Sequence, residues 1–170
     1  MYAKKANLNL YTSSSSETRS SRDSVTTEGI LDTTTTLGGA EAGAFDQAIT
    51  KTDPAMVMMS LATYQSIDPN NPAVFSSTII DGHIRNALKY TGVVISDSMS
   101  AEALSSYDVS QLGVKLVEAG GDMSCIGQTD YVKPIVDGLN ERAKSDPAFA
   151  SKVTAAATRV MALKIKMGLA

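Results

Sequence analysis

The clearest chemical feature of the chain is a carboxylate set directly after a short run of β-branched residues: Val93-Val94-Ile95-Ser96 leads into Asp97. In β/α folds the C-terminal ends of the strands line the mouth, where a substrate can reach them. A carboxylate there can serve as a covalent nucleophile toward an anomeric carbon, as a general base or as a metal ligand. The same position suits an Asx turn or a cap on the following segment, the commoner use of such an aspartate. The strand-end rule selects Ser98 and Met99 together with Asp97. It also selects Ser60 with the residues after it, and Gly127 with Gln128.

Other reactive side chains carry less. Asp68 precedes a proline and reads as a turn former. Asp122 opens a strand, at the end opposite the mouth, and reads as structural. His83 is the only histidine and falls inside a predicted helix on the outside of the fold, as a surface or packing residue. Cys125 is the only cysteine, so no intramolecular disulfide can form. Its place in the apolar run 123–126 predicts a buried, inert thiol. With one histidine and no cysteine cluster, no zinc site and no other metal is expected. No cofactor is expected either, since Gly38-Gly39 and Gly120-Gly121 lack the spacing of a phosphate-binding loop. Met56, Met58, Met59 and Met161 read as core filler.

The elements that must position these residues emerge after Gly39. Residues 41–50 carry Ala44, Phe45, Ala48 and Ile49 on one helical face. Residues 55–61 form a continuous apolar run of strand length. Ser76 or Ser77 can cap a helix over 78–90, with Ile79, Ile80, Ile84, Ala87 and Leu88 inward. A strand over 92–96 ends at Asp97, and a helix over 108–119 stops at Gly120-Gly121. A strand over 122–126 and a helix over 131–143 follow. Asp146-Pro147 opens the last helix, whose apolar face runs through Phe149, Val153, Ala156, Val160, Leu163 and Met167. Alternating strands and helices imply parallel pairing and right-handed crossovers. Residues 1–39 differ: Ser13 to Ser16 and Thr33 to Thr36 are homopolymeric, apolar residues are sparse, and only Leu8 and Leu10 allow a short strand. They read as a Ser/Thr-rich arm or loop, and 40–170 as the folded domain.

Length and charge close off several functions. A chain of 170 residues with 43% hydrophobic residues can bury one core. Fifteen basic against eighteen acidic residues, a net charge of -3, give no nucleic-acid footprint. No apolar stretch approaches the ~20 residues of a membrane span. Lys4 and Lys5 are not followed by an apolar signal core, so the default expectation is cytoplasmic.

A series of short motifs then supplies a family. Val57-Met58-Met59-Ser60, Tyr64, Ile67-Asp68-Pro69, Pro72-Ala73, Phe75-Ser76, Ile79-Ile80 and Ile84-Arg85 come first. Gly92-Val93-Val94-Ile95-Ser96-Asp97, Ala119-Gly120-Gly121-Asp122-Met123 and Arg159-Val160-Met161-Ala162-Leu163-Lys164 complete the order. Together, over about residues 24 to 169, they resemble the N-terminal barrel domain of glycoside hydrolase family 3, in its bacterial β-N-acetylhexosaminidase-like branch. The resemblance implies an α/β chain equivalent to part of a (β/α)₈ TIM barrel, roughly its last three to four β/α units. It implies hydrolysis of β-linked N-acetylglucosamine or a similar β-glycoside by a retaining mechanism. Asp97 matches the family's nucleophile, and Ser60 and Met99 match positions near the sugar.

The family's acid/base histidine loop, and the Lys-His-Phe-Pro-Gly motif near it, have no match; residues 4–12 stand in the motif's place without its His or Pro-Gly. Two readings follow. One is a glycosidase whose barrel is completed by a second chain or by self-association. The other is a catalytically inactive remnant, or a carbohydrate-binding or interaction module. A small flavodoxin-like binding domain would also use a strand-end acid, but the loop lengths and the strand count oppose it.

Overall fold

The computed structural model describes residues 29–170, so the Leu8/Leu10 strand lies outside the described residues. The core of the fold is a three-stranded parallel sheet of β2 (Met56–Met59), β4 (Val93–Ser98) and β5 (Met123–Cys125), in that spatial order. β4 is central. Met56 to Met59 pair with Val93 to Ser96, and Ile95 pairs with Met123. Val57, Met59, Val93, Val94 and Ser96 are all at most 1% exposed. Such burial on both faces is what a parallel sheet requires.

Helices supply the cover. α1 (Ala40–Thr52) precedes β2, α2 (Val109–Glu118) joins β4 to β5, and α3 (Val132–Ser145) and α4 (Pro147–Lys166) follow. Asp108 caps α2 by accepting from the Ser110 amide, and Asp146 caps α4 by accepting from those of Ala148 and Phe149. α2 and α3 pack closely because Gly138 has no Cβ: one built there would lie 2.0 Å from the Ser110 carbonyl oxygen. Gly120 sits at φ +102°, a conformation that glycine adopts without strain, and carries the chain from α2 toward β5.

Several details depart from the sequence pattern. The helix expected over 78–90 is a π-helix, Thr78–Ala87, with bonds from Gly82 N to Ser77 O and from Leu88 N to His83 O. Its apolar spacing still buries Ile79, Ile80 and Ile84, so the pattern alone does not separate the two helix types. Ser76 is the capping serine, its Oγ accepting from the Ile79 amide at 3.2 Å. Inside the stretch read as an arm, β1 (Leu31–Asp32) pairs in parallel with β3 (Thr63–Tyr64). These strands are too short to show any period. Met161 is not core filler: it is 46% exposed, and Met167, expected to face inward, is 48% exposed. α4 buries Phe149 and Ala156, whereas its later turns face outward. Met59 is fully buried as expected, while Met56 and Met58 are only partly so.

Candidate active site at the strand ends

The three core strands run parallel, so their C-terminal ends share one side of the sheet. Asp97 lies in the last part of β4 and is half-buried; its Oδ1 accepts from the Ser98 amide at 2.7 Å. The register pairs Met59 with Ser96, so continuing it by one residue sets Ser60 beside Asp97. Ser60 is partly exposed, and its Oγ accepts from the Ala62 amide at 3.0 Å, which turns the chain away at the end of β2. Met99 is 1% exposed and belongs to the core; its amide donates to the Cys125 carbonyl at 2.8 Å.

Between β4 and β5 the ladder is irregular. Ile95 pairs with Met123 and Ser98 with Cys125, so β4 carries one more residue than β5 over this stretch. This is a β-bulge, and bulges beside active sites re-aim side chains. The Ser96 hydroxyl, fully buried, accepts from the Cys125 amide at 2.9 Å within the irregular stretch. Beyond it, Ser100 Oγ lies 3.2 Å from Ser98 Oγ and accepts from the Gly127 amide at 3.2 Å. A Cβ at Gly127 would come within 2.9 Å of the Ser100 hydroxyl, so the two strand-end loops meet closely here.

Cys125 corrects an expectation. It is exposed, because β5 ends at this residue and the thiol stands at the rim rather than in the apolar run's interior. The strand-end rule selects Ser98 but not Ser100, which completes the hydroxyl pair. Its only signal is the alternation of serine through positions 96, 98 and 100.

The remaining candidates lie where expected. Asp68 accepts from the Asn70 amide and the Asn71 side chain in a turn. Burial pushes its pKa up, but hydrogen bonds from Ser76 and Asn71 outweigh that and hold it below the ordinary value. His83 Nε2 is 2.7 Å from Asp46 Oδ1 and ties the π-helix to α1. Asp122 has a side chain with no exposure; it takes Arg85 on one oxygen and Arg159 on the other at 2.8 Å, and also accepts from the Val94 amide. Burial pulls the Arg85 guanidinium below its ordinary pKa, and Asp122 pulls the other way. Among the described residues no group of three or more His, Cys, Asp and Glu could hold a metal ion, and no helix is long and apolar enough to cross a membrane.

Known proteins resemble this chain in fold or in sequence. A crystal structure of the β-N-acetylhexosaminidase from Beutenbergia cavernae superposes with a TM-score of 0.78 at 34% identity, over 86% of this chain and 44% of that one. A glycoside hydrolase family 3 β-N-acetylglucosaminidase from Paenibacillus sp. superposes with a TM-score of 0.76 at 27% identity, over 87% of this chain and 29% of that one. An uncharacterized secreted glycosyl hydrolase from Arthroderma benhamiae is 36% identical over 69 residues, 40% of this chain and 20% of the relative. The chain thus spans less than half the length of each of these proteins. The model of the glycosyl hydrolase family 3 N-terminal domain matches residues 16–163. On that match the chain belongs to glycoside hydrolase family 3.

Proposed function

We propose that this chain carries the nucleophile side of a retaining glycosidase site acting on β-linked N-acetylglucosamine or a similar β-glycoside. The observation that carries the reading is Asp97, a half-buried carboxylate at the C-terminal end of the central parallel strand. Asp97 would attack the anomeric carbon, form a glycosyl-enzyme and release the leaving group, and water would then hydrolyse the ester. Ser60 would meet the sugar from the neighbouring strand end. Met99 is buried, so it would contribute by packing beneath the turn rather than by a wide contact. The two solved hexosaminidase-type relatives support this substrate class.

Protonation of the leaving oxygen needs an acid, a contribution of about 10²–10⁴ in rate. The chain's one histidine, His83, is held by Asp46 between two helices. That observation favours a second reading, a carbohydrate-binding or interaction module without turnover. Under the first reading the acid is supplied from outside the described residues as the barrel is completed around the sugar. The test is hydrolysis of an aryl N-acetyl-β-glucosaminide by the purified chain beside Asp97→Ala. Turnover that disappears in the variant supports the glycosidase. A folded chain that binds N-acetylglucosamine without turning over the aryl glycoside supports the module.

A further inference from the structure

The geometry points to Ser96 as the positioning residue for Asp97, acting through the bulge in which both sit. This rests on the reading of Asp97 as the working carboxylate and adds a cause for its aim. In an unbroken strand the direction of a side chain is set by the ladder on both sides of its residue. On the β2 side the ladder is regular up to Ser96. On the β5 side the extra residue falls between Ile95 and Ser98, the interval that holds Ser96 and Asp97. An extra residue leaves the ladder locally disrupted and bends the strand that carries it.

The Ser96 hydroxyl works inside that gap. It is fully buried and accepts from the Cys125 amide at 2.9 Å, so a side chain joins the two strands where their register shifts. Three residues further along the chain a backbone bond follows, from the Met99 amide to the Cys125 carbonyl at 2.8 Å. Cys125 is therefore held from both of its backbone groups by Ser96 and Met99, and Asp97 and Ser98 are the residues spanned between those two bonds. Without the hydroxyl the Cys125 amide loses its acceptor. The bulge can then relax toward a different register, and Asp97, adjacent in the chain, turns with it. Ser96 touches no substrate in this scheme; its effect passes entirely through Asp97.

The test compares Ser96→Ala and Ser96→Thr with the unaltered chain. Ala removes the acceptor and Thr keeps it. Two NMR readouts are used: amide exchange at Cys125, and the chemical shift of the Asp97 side-chain carboxyl. In Ser96→Ala the Cys125 amide is expected to exchange about five- to tenfold faster. The Asp97 carboxyl should change its chemical shift, and Ser96→Thr should restore both readouts. Faster exchange at Cys125 with an unmoved Asp97 would make Ser96 an ordinary structural hydrogen bond and overturn the inference, as would no change at either residue. If Ser96→Ala does not fold, Ser96→Cys, whose sulfur is a weak acceptor, replaces it in the same comparison with Thr. Where the chain hydrolyses the aryl glycoside, kcat should fall about 10- to 100-fold with KM unchanged, the cost of a misplaced reacting group. A change confined to KM overturns the inference. If no hydrolysis is seen but Asp97 moves, Ser96 stands as its positioning residue and the glycosidase reading fails.

Discussion

Two aspartates at opposite ends of the same sheet sit in opposite environments. Asp122, at the start of β5, has no exposed side-chain surface and satisfies two guanidinium groups and one backbone amide. Asp97, at the end of β4, is half-buried and sits in a bulge among serine hydroxyls and an exposed thiol. Arg85 and Arg159 come from the π-helix and from α4, so Asp122 joins two distant elements to the sheet. A carboxylate so enclosed cannot meet a substrate. The contrast separates the end that holds the fold together from the end at which chemistry can occur.

The comparison is broken most severely by Asp122→Ala, which leaves two partly buried arginines without their partner. It should cost about 3–5 kcal/mol, read as a lower midpoint in urea unfolding. A cost below about 1 kcal/mol would mean that the network is not what fixes this end. Gly138→Ala comes next. The methyl group would meet the Ser110 carbonyl, so α2 and α3 must separate, at about 1–3 kcal/mol despite the better helix propensity of alanine. The same unfolding curve measures it, and a stabilised variant would contradict the close packing.

Acid sharpens the picture at the mouth side. Burial pushes the Asp32 carboxyl upward, but the Thr35 and Thr34 amides and hydroxyls outweigh this and hold it below its ordinary 3.8. A carboxylate with a depressed folded pKa stabilises the fold above that ordinary value and loses the contribution as pH falls through the folded one. The Thr34 and Thr35 amides should therefore exchange faster below about pH 4, and Asp32→Ala should remove that pH dependence without reaching the Asp122 end. The smallest effect on stability belongs to Asp97→Ala, within about 0.5 kcal/mol in the same urea titration. A large loss would mark Asp97 as a second structural anchor and erase the distinction between the two ends.

Much of this was legible in the residues. The runs at 55–61 and 92–96 are apolar and of strand length, and the Asp146-Pro147 start is written in capping chemistry, so the parallel β/α order follows from local physics. Asp97 and Ser60 were accessible to the rule that strand ends face the mouth. The bulge was not, because one inserted residue changes a hydrogen-bond register without altering hydrophobic pattern or propensity. The π-helix escaped for a similar reason: its buried isoleucines satisfy either winding. Cys125 was misjudged because apolar neighbours in sequence do not say where a strand ends, and Met161 because a helical stripe does not say how far its partner extends.

The placement of that one thiol makes the protein its own probe. The chain has a single cysteine and it is exposed at the rim. A maleimide dye or a spin label would therefore attach at one known point, beside the bulge, without any engineered site. Sugars that enter the mouth could be followed by quenching or by a distance change, in the natural sequence and independently of turnover.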